Sequence, residues 1–242
     1  MSSTSPKREG SVILPGPLID FAYSLADLAA KRLSAMHVRP NQVTATSLLV
    51  AALSGLSLAN GRPMVGAGFL VVASLCDLLD GHLARSFGYD SSAGAFLDSV
   101  TDRITEAFVF IGLAYWGGGG PLTWLAIWAL VASLAISYAR ARGEALGVEC
   151  AVGLMQRPER LVLLVVTLLV APLIGFGWDP GTVRPVLFLV LTGVGALAVL
   201  STITAFRRAR WIFRRLQAVE AASEPSESRP VQHESRPDAR EP

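Results

Sequence analysis

The sequence predicts an all-α integral membrane protein, with six transmembrane helices that follow an amphipathic interfacial helix. Three observations support this class. Hydrophobic residues make up 52% of the 242 residues, and the mean hydropathy of +0.47 is too high for an ordinary soluble domain. Apolar segments of roughly 20 residues, the length that spans a bilayer, recur along the chain. Lys and Arg concentrate at alternate ends of these segments.

The spans are placed by their apolar runs and by the Gly and Pro residues between them. They lie near residues 42–59, 63–86, 93–116, 121–142, 159–177 and 184–206. The second and third spans carry charged residues, so hydropathy alone scores them lower.

The segments outside the spans differ from one another in composition. Residues 17–36 place Leu18, Phe21, Leu25 and Leu28 on one helical face and polar residues on the other. Such a helix lies in the membrane interface or packs on the protein itself. The tail from about residue 218 lacks apolar residues to bury, and the first ten or so residues look the same, so residues 1–16 and 217–242 are predicted to be disordered around a membrane domain at 17–216.

The distribution of positive charge predicts the topology. One side of the membrane carries Lys31, Arg32, Arg39, Arg85, Arg140, Arg142, Arg157, Arg160, Arg207, Arg208, Arg210, Arg214 and Arg215, and the other carries Arg62 and Arg184. We therefore expect a multi-pass protein of the cell membrane with both termini and the active site in the cytoplasm. A net charge of only +2 does not indicate a nucleic-acid-binding protein.

Carboxylates occur inside two predicted spans, where charged residues are costly and indicate function. The second span carries Asp77, Asp80, Gly81 and Ala84 at i, i+3, i+4 and i+7, and the third carries Gly94, Asp98, Asp102 and Glu106 at intervals of four. Each set shares one helix face. Because the link at 86–93 is short, we expect antiparallel neighbouring helices whose acidic faces meet.

Four carboxylates at one place in a low dielectric repel one another unless protons or cations neutralise them. Oxygen ligands suit Mg²⁺ or Mn²⁺, and His82 does not share the acidic face, which argues against zinc. Small residues at Gly81 and Ala84 leave room for a nucleotide, whose phosphates metal ions bridge. Arg85 and Arg103 would be phosphate contacts or structural counter-ions. The alternative is a set of buried ion pairs, which four acids at matched spacing disfavour.

The stretch from Asp77 to Asp102 contains the complete pattern D-x2-D-G-x2-A-R-x8-G-x3-D-x3-D, with eight fixed positions over 26 residues. This pattern resembles the signature of the CDP-alcohol phosphatidyltransferases. The resemblance implies a homodimeric transferase of phospholipid biosynthesis. Such an enzyme moves a phosphatidyl group from CDP-diacylglycerol, or a related CDP-lipid, to a small alcohol and releases CMP.

The resemblance also implies residue roles. Asp77, Asp80 and Asp98 would ligate a pair of divalent ions on the CDP-lipid diphosphate. Asp102 would lie at the same metals and act as the general base that deprotonates the acceptor hydroxyl. Gly81 and Ala84 match positions where the family admits the cytidine.

The residues 40–44 resemble the family's P-N-x-[IV]-T, which implies that Asn41 and Thr44 help to hold CDP. Asn41 also suits a helix N-cap. Both interpretations remain open for that residue.

Arginines at the ends of the later spans indicate the kind of acceptor. The set is Arg140, Arg142, Arg157, Arg160 and Arg208, which could converge above the carboxylates. Arginine binds phosphate through two parallel hydrogen bonds, so this set favours an acceptor with its own phosphate. The alternative is that these arginines only obey the positive-inside rule.

The arginine pattern resembles the inositol-phosphate branch of the family. The branch has a basic-x-Arg-x-Glu sequence, matched at Arg140 to Glu144, and an Arg-Pro-Glu-Arg stretch, matched at Arg157 to Arg160. This chain departs from it at Arg140, where Lys is favoured, and at Gln156, where an acid is usual. Inositol phosphate is thus the first expected acceptor and glycerol 3-phosphate the second, ahead of serine or another unphosphorylated alcohol. A divalent-cation transporter and a non-catalytic scaffold are remoter alternatives.

Overall fold

The computed structural model describes residues 28, 31–32, 40–87, 91–150, 152–178 and 184–223. From residue 40 onward the described chain forms six α-helices, and the described residues contain no strand, which confirms the predicted all-α class. The helices are α1 (Pro40–Ala59), α2 (Pro63–Phe87), α3 (Ser92–Trp116), α4 (Pro121–Ala145), α5 (Arg157–Trp178) and α6 (Arg184–Ser223).

Five of the described helices are long and apolar enough to cross a membrane, and α3 is the exception. Helix α3 has the same 25-residue length as α2 and α4. It carries Asp98, Asp102, Arg103 and Glu106, so its composition rather than its length sets it apart. These charged residues, which were predicted to lower the hydropathy of the span, include the predicted site residues Asp98 and Asp102.

Local sequence signals set the beginnings of several helices. Pro40, Pro63 and Pro121 are the first residues of α1, α2 and α4, where the missing N–H costs no intrahelical bond. Ser91 caps α3, since its hydroxyl accepts the N–H of Gly94 at 3.0 Å. These signals agree with the boundaries expected from the Gly and Pro residues.

Helix packing differs from the simplest expectation for α2 and α3. Helix α1 packs against both α2 and α3, and α6 packs against both α4 and α5. In addition, α3 contacts α4, and α2 contacts α5. Helices α2 and α3 make few backbone contacts with each other. They are joined by a short link, but each packs mainly on α1, and their acidic faces meet through side chains.

The bundle has one apolar end and one polar end. Its main core includes Leu58 and Leu113 near the ends of α1 and α3, Leu122 at the start of α4, Leu168 in α5 and Val194 in α6. The acids and arginines of the aspartate cluster and its surroundings lie at the opposite ends of the same helices. Alternation of helix direction therefore gathers these residues at one end of the bundle.

The ends of the membrane domain remain partly outside the described residues. Of the predicted amphipathic helix at 17–36, Leu28, Lys31 and Arg32 are helical and exposed, and the rest lies outside the description. At the other end, α6 runs past residue 206 and on to Ser223. Residues 217–223, which were predicted to belong to the disordered tail, are the last residues of this helix, because α6 continues past the apolar span through the Arg-rich stretch at 207–215. Residues 224–242 lie outside the described part.

Candidate active site

Three aspartates form a compact cluster where α2 faces α3. Asp77 of α2 and Asp98 and Asp102 of α3 each offer one carboxylate oxygen, and these oxygens lie within 4.8 Å of one another. Asp77 and Asp102 are half-buried and Asp98 is exposed. Carboxylates this close repel each other unless a cation joins them, and an all-oxygen donor set fits a hard divalent ion. The residues present therefore fit the predicted metal.

Asp80 lies one turn beyond Asp77 on the same helix but is more deeply buried, with 4% of its surface exposed. Its Oδ2 atom accepts a hydrogen bond from the hydroxyl of Thr44 on α1. The side chain of Thr44 therefore lies next to Asp80, and its predicted contact with the CDP-lipid stays a prediction. Gly81 and Ala84 follow on α2 and are half-buried.

The side chains of Asn41 and Arg85 lie outside the described part of the structure. Both residues belong to described helices, at the start of α1 and near the end of α2. Their predicted contacts with the CDP-lipid stay predictions.

Arg157, at the first position of α5, bridges the two helices that carry the cluster. Its Nη1 donates to Asp77 Oδ2 at 2.7 Å, and its Nη2 lies 2.6 Å from Asp102 Oδ1. The guanidinium fork therefore holds one acid from each helix. The sequence predicted Arg157 as a phosphate contact and did not foresee this bridge.

A cavity of about 470 Å³ opens beside the aspartates, which is within the usual size range of small-molecule sites. Its lining is Asp98, Ser99, Asp102, Arg103, Glu106, Ile136, Ser137, Arg140, Ala141, Glu144, Gln156, Arg157, Pro158, Arg160 and Arg208. Four of the five predicted acceptor arginines thus surround one space. The fifth, Arg142, is exposed and is not among the described lining residues.

The lining arginines differ in their existing partners. Arg140 pairs with Glu144 at 2.8 Å on an exposed surface. Arg208 is only 3% exposed and donates to the carbonyl oxygens of Val152 and Ile136. Arg103 donates to the carbonyl oxygen of Ser99 within its own helix. The contacts of Arg103 and Arg208 are to neutral carbonyl oxygens and do not offset the charge of either guanidinium, whereas Glu144 offsets the charge of Arg140.

Glu106 shares the acidic face of α3 in the sequence pattern, which gave it no further role. It lies one turn after Asp102, and its Oε1 accepts from Arg160 Nη2 at 2.6 Å. The signal was present in the chain, because Glu106 follows Asp102 by four residues and Arg160 follows Arg157 by three. Two acids and two arginines at helical spacing can form matching pairs between helices, but the sequence alone does not say which helices face each other.

Comparisons with known proteins identify the class that this site belongs to. The packed membrane helices, the aspartate cluster and the adjoining arginine cavity describe a membrane enzyme with a divalent-metal centre. A family model for CDP-alcohol phosphatidyltransferase matches residues 37–205. The chain belongs to the CDP-alcohol phosphatidyltransferase family, and it is a multi-pass membrane transferase.

Two curated relatives are similar over most of their length. An archaetidylinositol phosphate synthase of Methanothermobacter thermautotrophicus is 34% identical over 175 residues, which cover 72% of this chain and 83% of the relative. A phosphatidylinositol phosphate synthase of Cutibacterium acnes is 35% identical over 181 residues, covering 72% and 87%.

Solved structures of a Mycobacterium tuberculosis phosphatidylinositol phosphate synthase share the fold. The form with CDP-DAG bound superposes with a TM-score of 0.68 at 30% identity and covers 78% of this chain and 94% of that chain. The form in complex with manganese and citrate gives a TM-score of 0.67 at 30% identity, with 78% and 88% covered.

Proposed function

We propose that this enzyme transfers the phosphatidyl group of CDP-diacylglycerol to a hydroxyl group of inositol phosphate, giving phosphatidylinositol phosphate and CMP. The observation that carries the proposal is the position of Arg157. It contacts Asp77 and Asp102 of the cluster and also lines the arginine cavity. A phosphate bound in that cavity would hold its acceptor hydroxyl next to the acids.

The aspartate cluster would bind the diphosphate of the CDP-lipid through Mg²⁺ or Mn²⁺, with two ions in the proposed arrangement. Ions held there would neutralise charge on the diphosphate and make its phosphorus a better electrophile. Asp77, Asp98 and Asp102 would be ligands, since their carboxylate oxygens lie together. Asp80 stays in the proposed set because it lies on the same face of α2, one turn from Asp77.

Asp102 would act as the general base. It belongs to the cluster and lines the cavity, so one carboxylate faces both substrates. The acceptor oxygen gives its proton to Asp102 and bonds to the lipid-side phosphorus. The bond from that phosphorus to the bridging diphosphate oxygen breaks, and CMP leaves with the electron pair.

The remaining residues would position the substrates. Thr44, Gly81 and Ala84 adjoin Asp80 and are proposed to contact the CDP moiety together with Asn41 and Arg85. Arg140, Arg157 and Arg208 are proposed to hold the acceptor phosphate. Arg142 and Arg160 are less suited, since Arg142 lies outside the described lining and the nitrogens of Arg160 already donate to protein oxygens.

The proposal includes the arrangement of the enzyme in the cell. The active site and both termini would face the cytoplasm, where CDP-lipid head groups and phosphorylated alcohols are accessible. A homodimer is proposed from the family resemblance.

Release of CMP by the purified enzyme tests the function. The enzyme is mixed with CDP-diacylglycerol and Mg²⁺, and each of inositol phosphate, free inositol, glycerol 3-phosphate and serine is added separately. We expect release with inositol phosphate, none with free inositol, and loss of release with EDTA that excess Mg²⁺ or Mn²⁺ restores. Release with glycerol 3-phosphate instead would keep the reaction and overturn the acceptor, and release with serine would contradict the phosphate role of the arginines.

A further inference from the structure

Two ion pairs connect α3 to α5, one helical turn apart. The first joins Asp102 to Arg157, and the second joins Glu106 to Arg160. The backbones of α3 and α5 do not come into close contact over the described residues. Long charged side chains therefore connect α3, which carries Asp102, with α5, which carries Arg157.

The second pair is the more buried of the two. Arg160 has 4% of its side chain exposed and Glu106 has 16%, whereas Arg157 has 37% and Asp102 has 20%. Arg157 and Asp102 open on the cavity and can meet substrate. A buried, hydrogen-bonded pair is costly to break because it leaves an unpaired charge, so Glu106–Arg160 is the more rigid connection.

Arg160 also fixes the segment that leads into α5. Its Nε and Nη2 donate to Glu106 Oε1, at 3.3 and 2.6 Å, and its Nη1 donates to the carbonyl oxygen of Met155 at 3.1 Å. The N–H of Met155 donates to Thr204 Oγ1 of α6 at 3.3 Å. Both backbone groups of Met155, two residues before Arg157, are therefore held.

We propose that Glu106 and Arg160 are positioning residues that set the location of the Arg157 guanidinium relative to Asp102, and so align the acceptor with the base. The proposal rests on the proposed function of Arg157 at the acceptor phosphate. It assigns Arg160 to alignment rather than to phosphate binding, since each of its three nitrogens already donates to a protein oxygen. Neither residue of the pair needs to touch substrate for this role.

Steady-state kinetics of Glu106→Gln tests the proposal, with KM measured separately for the acceptor and for the CDP-lipid. We expect the acceptor KM to rise about tenfold or more, because a misplacement of the order of 1 Å is costly at a reacting site, while the KM of the CDP-lipid stays within about twofold. The control is Glu149→Gln, an exposed glutamate before the same segment, which should change neither value. An unchanged acceptor KM, or equal rises in both KM values, would overturn the proposal.

The charge-reversed variant Glu106→Arg/Arg160→Glu separates alignment from general loss of structure. It keeps opposite charges between the same two positions but cannot donate to the Met155 carbonyl. We expect an acceptor KM between those of the wild type and Arg160→Glu alone, and a thermal unfolding midpoint above that of either single variant. Should Glu106→Gln not fold, this variant carries the test, and an acceptor KM no lower than that of Arg160→Glu counts against alignment. If the wild type uses an acceptor other than inositol phosphate, the proposed acceptor fails, while the same KM comparison with the true acceptor still decides the role of the pair.

Discussion

Asp102 stands at the boundary between the aspartate cluster and the arginine cavity. One of its oxygens belongs to the group within 4.8 Å of Asp77 and Asp98, and the residue also lines the cavity. Its carboxylate is close to Arg157, which compensates part of the charge repulsion among the acids. A single side chain thus reaches the places proposed for both substrates.

Replacement of Asp102 by Asn should reduce CMP release by about 10²–10⁴-fold, the usual contribution of a general base. Asn has nearly the same shape but cannot take the acceptor proton at neutral pH. The measurement is CMP release at saturating CDP-lipid and acceptor, with Glu149→Gln as a control for loss of a carboxylate elsewhere. Activity within tenfold of the wild type would rule out Asp102 as the base.

Thr44 matters because its hydrogen bond to Asp80 is buried, with 8% and 4% of the two residues exposed. Thr44→Val keeps the shape and removes the donor, so the Asp80 carboxylate loses a partner in a site with little water. We expect the free energy of unfolding to fall by about 1–3 kcal/mol. Denaturant unfolding in detergent measures this change. Thr44→Ser keeps the hydroxyl and should lose much less; equal losses in the two variants would mean that the hydrogen bond contributes little.

At the scale of helices, the contact between α1 and α3 decides how the acids are presented. Gly55 and Gly112 lie against each other, and a methyl group on Gly112 would collide with the backbone carbonyl of Gly55. The backbones approach so closely only because neither residue has a side chain. Since α2 also packs on α1, the same contact sets where Asp98 and Asp102 stand relative to Asp77.

Gly112→Ala should destabilise the protein by about 1–3 kcal/mol, the typical cost of overpacking, because a backbone carbonyl cannot turn aside as a side chain can. The thermal unfolding midpoint and CMP release should fall together, since α3 must move and carries two of the acids. The matched control is Gly68→Ala on α2, where a methyl group would meet nothing within 4 Å. That change should be neutral or slightly stabilising, because Ala favours helix over Gly by about 1 kcal/mol. Similar behaviour of both variants would show that the α1–α3 contact tolerates a larger separation.

At the scale of the whole molecule, charge and apolar surface divide the bundle into two ends. Described side chains such as Tyr115, Trp124 and Phe188 are more than 60% exposed on the bundle surface, as expected for residues that face lipid. The acids of the aspartate cluster and the arginines that line the cavity lie at the other ends of the helices from the apolar core. This division supports the proposed cytoplasmic orientation of the active site.

Reporter fusions test the orientation. Alkaline phosphatase, which is active outside the cytoplasm, should be active when fused after Gly61 in the α1–α2 turn and inactive when fused after Glu149 in the α4–α5 connection. Green fluorescent protein should give the opposite pattern, because positive residues are retained on the cytoplasmic side. The reverse result for both reporters would place the active site on the outer face.

The sequence by itself determined the helices and the content of each helical face. Pro and Gly mark helix ends, and the 3.6-residue period places the acids on one face of α2 and one face of α3, because both signals act between residues close in the chain. For the same reason the clustered aspartates Asp77, Asp98 and Asp102 and the family could be predicted. The helical structure of residues 217–223 was not predicted, since composition alone did not indicate that α6 continues through them.

Only the tertiary structure decided which faces meet. Arg157 reaches Asp77 across 80 residues of sequence, and Arg160 reaches Glu106 across 54. No local period encodes such distances, so the sequence grouped Arg142 and Arg160 with the other arginines. In the structure, Arg142 is not among the described lining residues of the cavity, and Arg160 pairs with Glu106. Packing of α2 and α3 on α1, and of α5 on α6, fixes these partners, because it is the summed burial of apolar side chains that sets the positions of the helices.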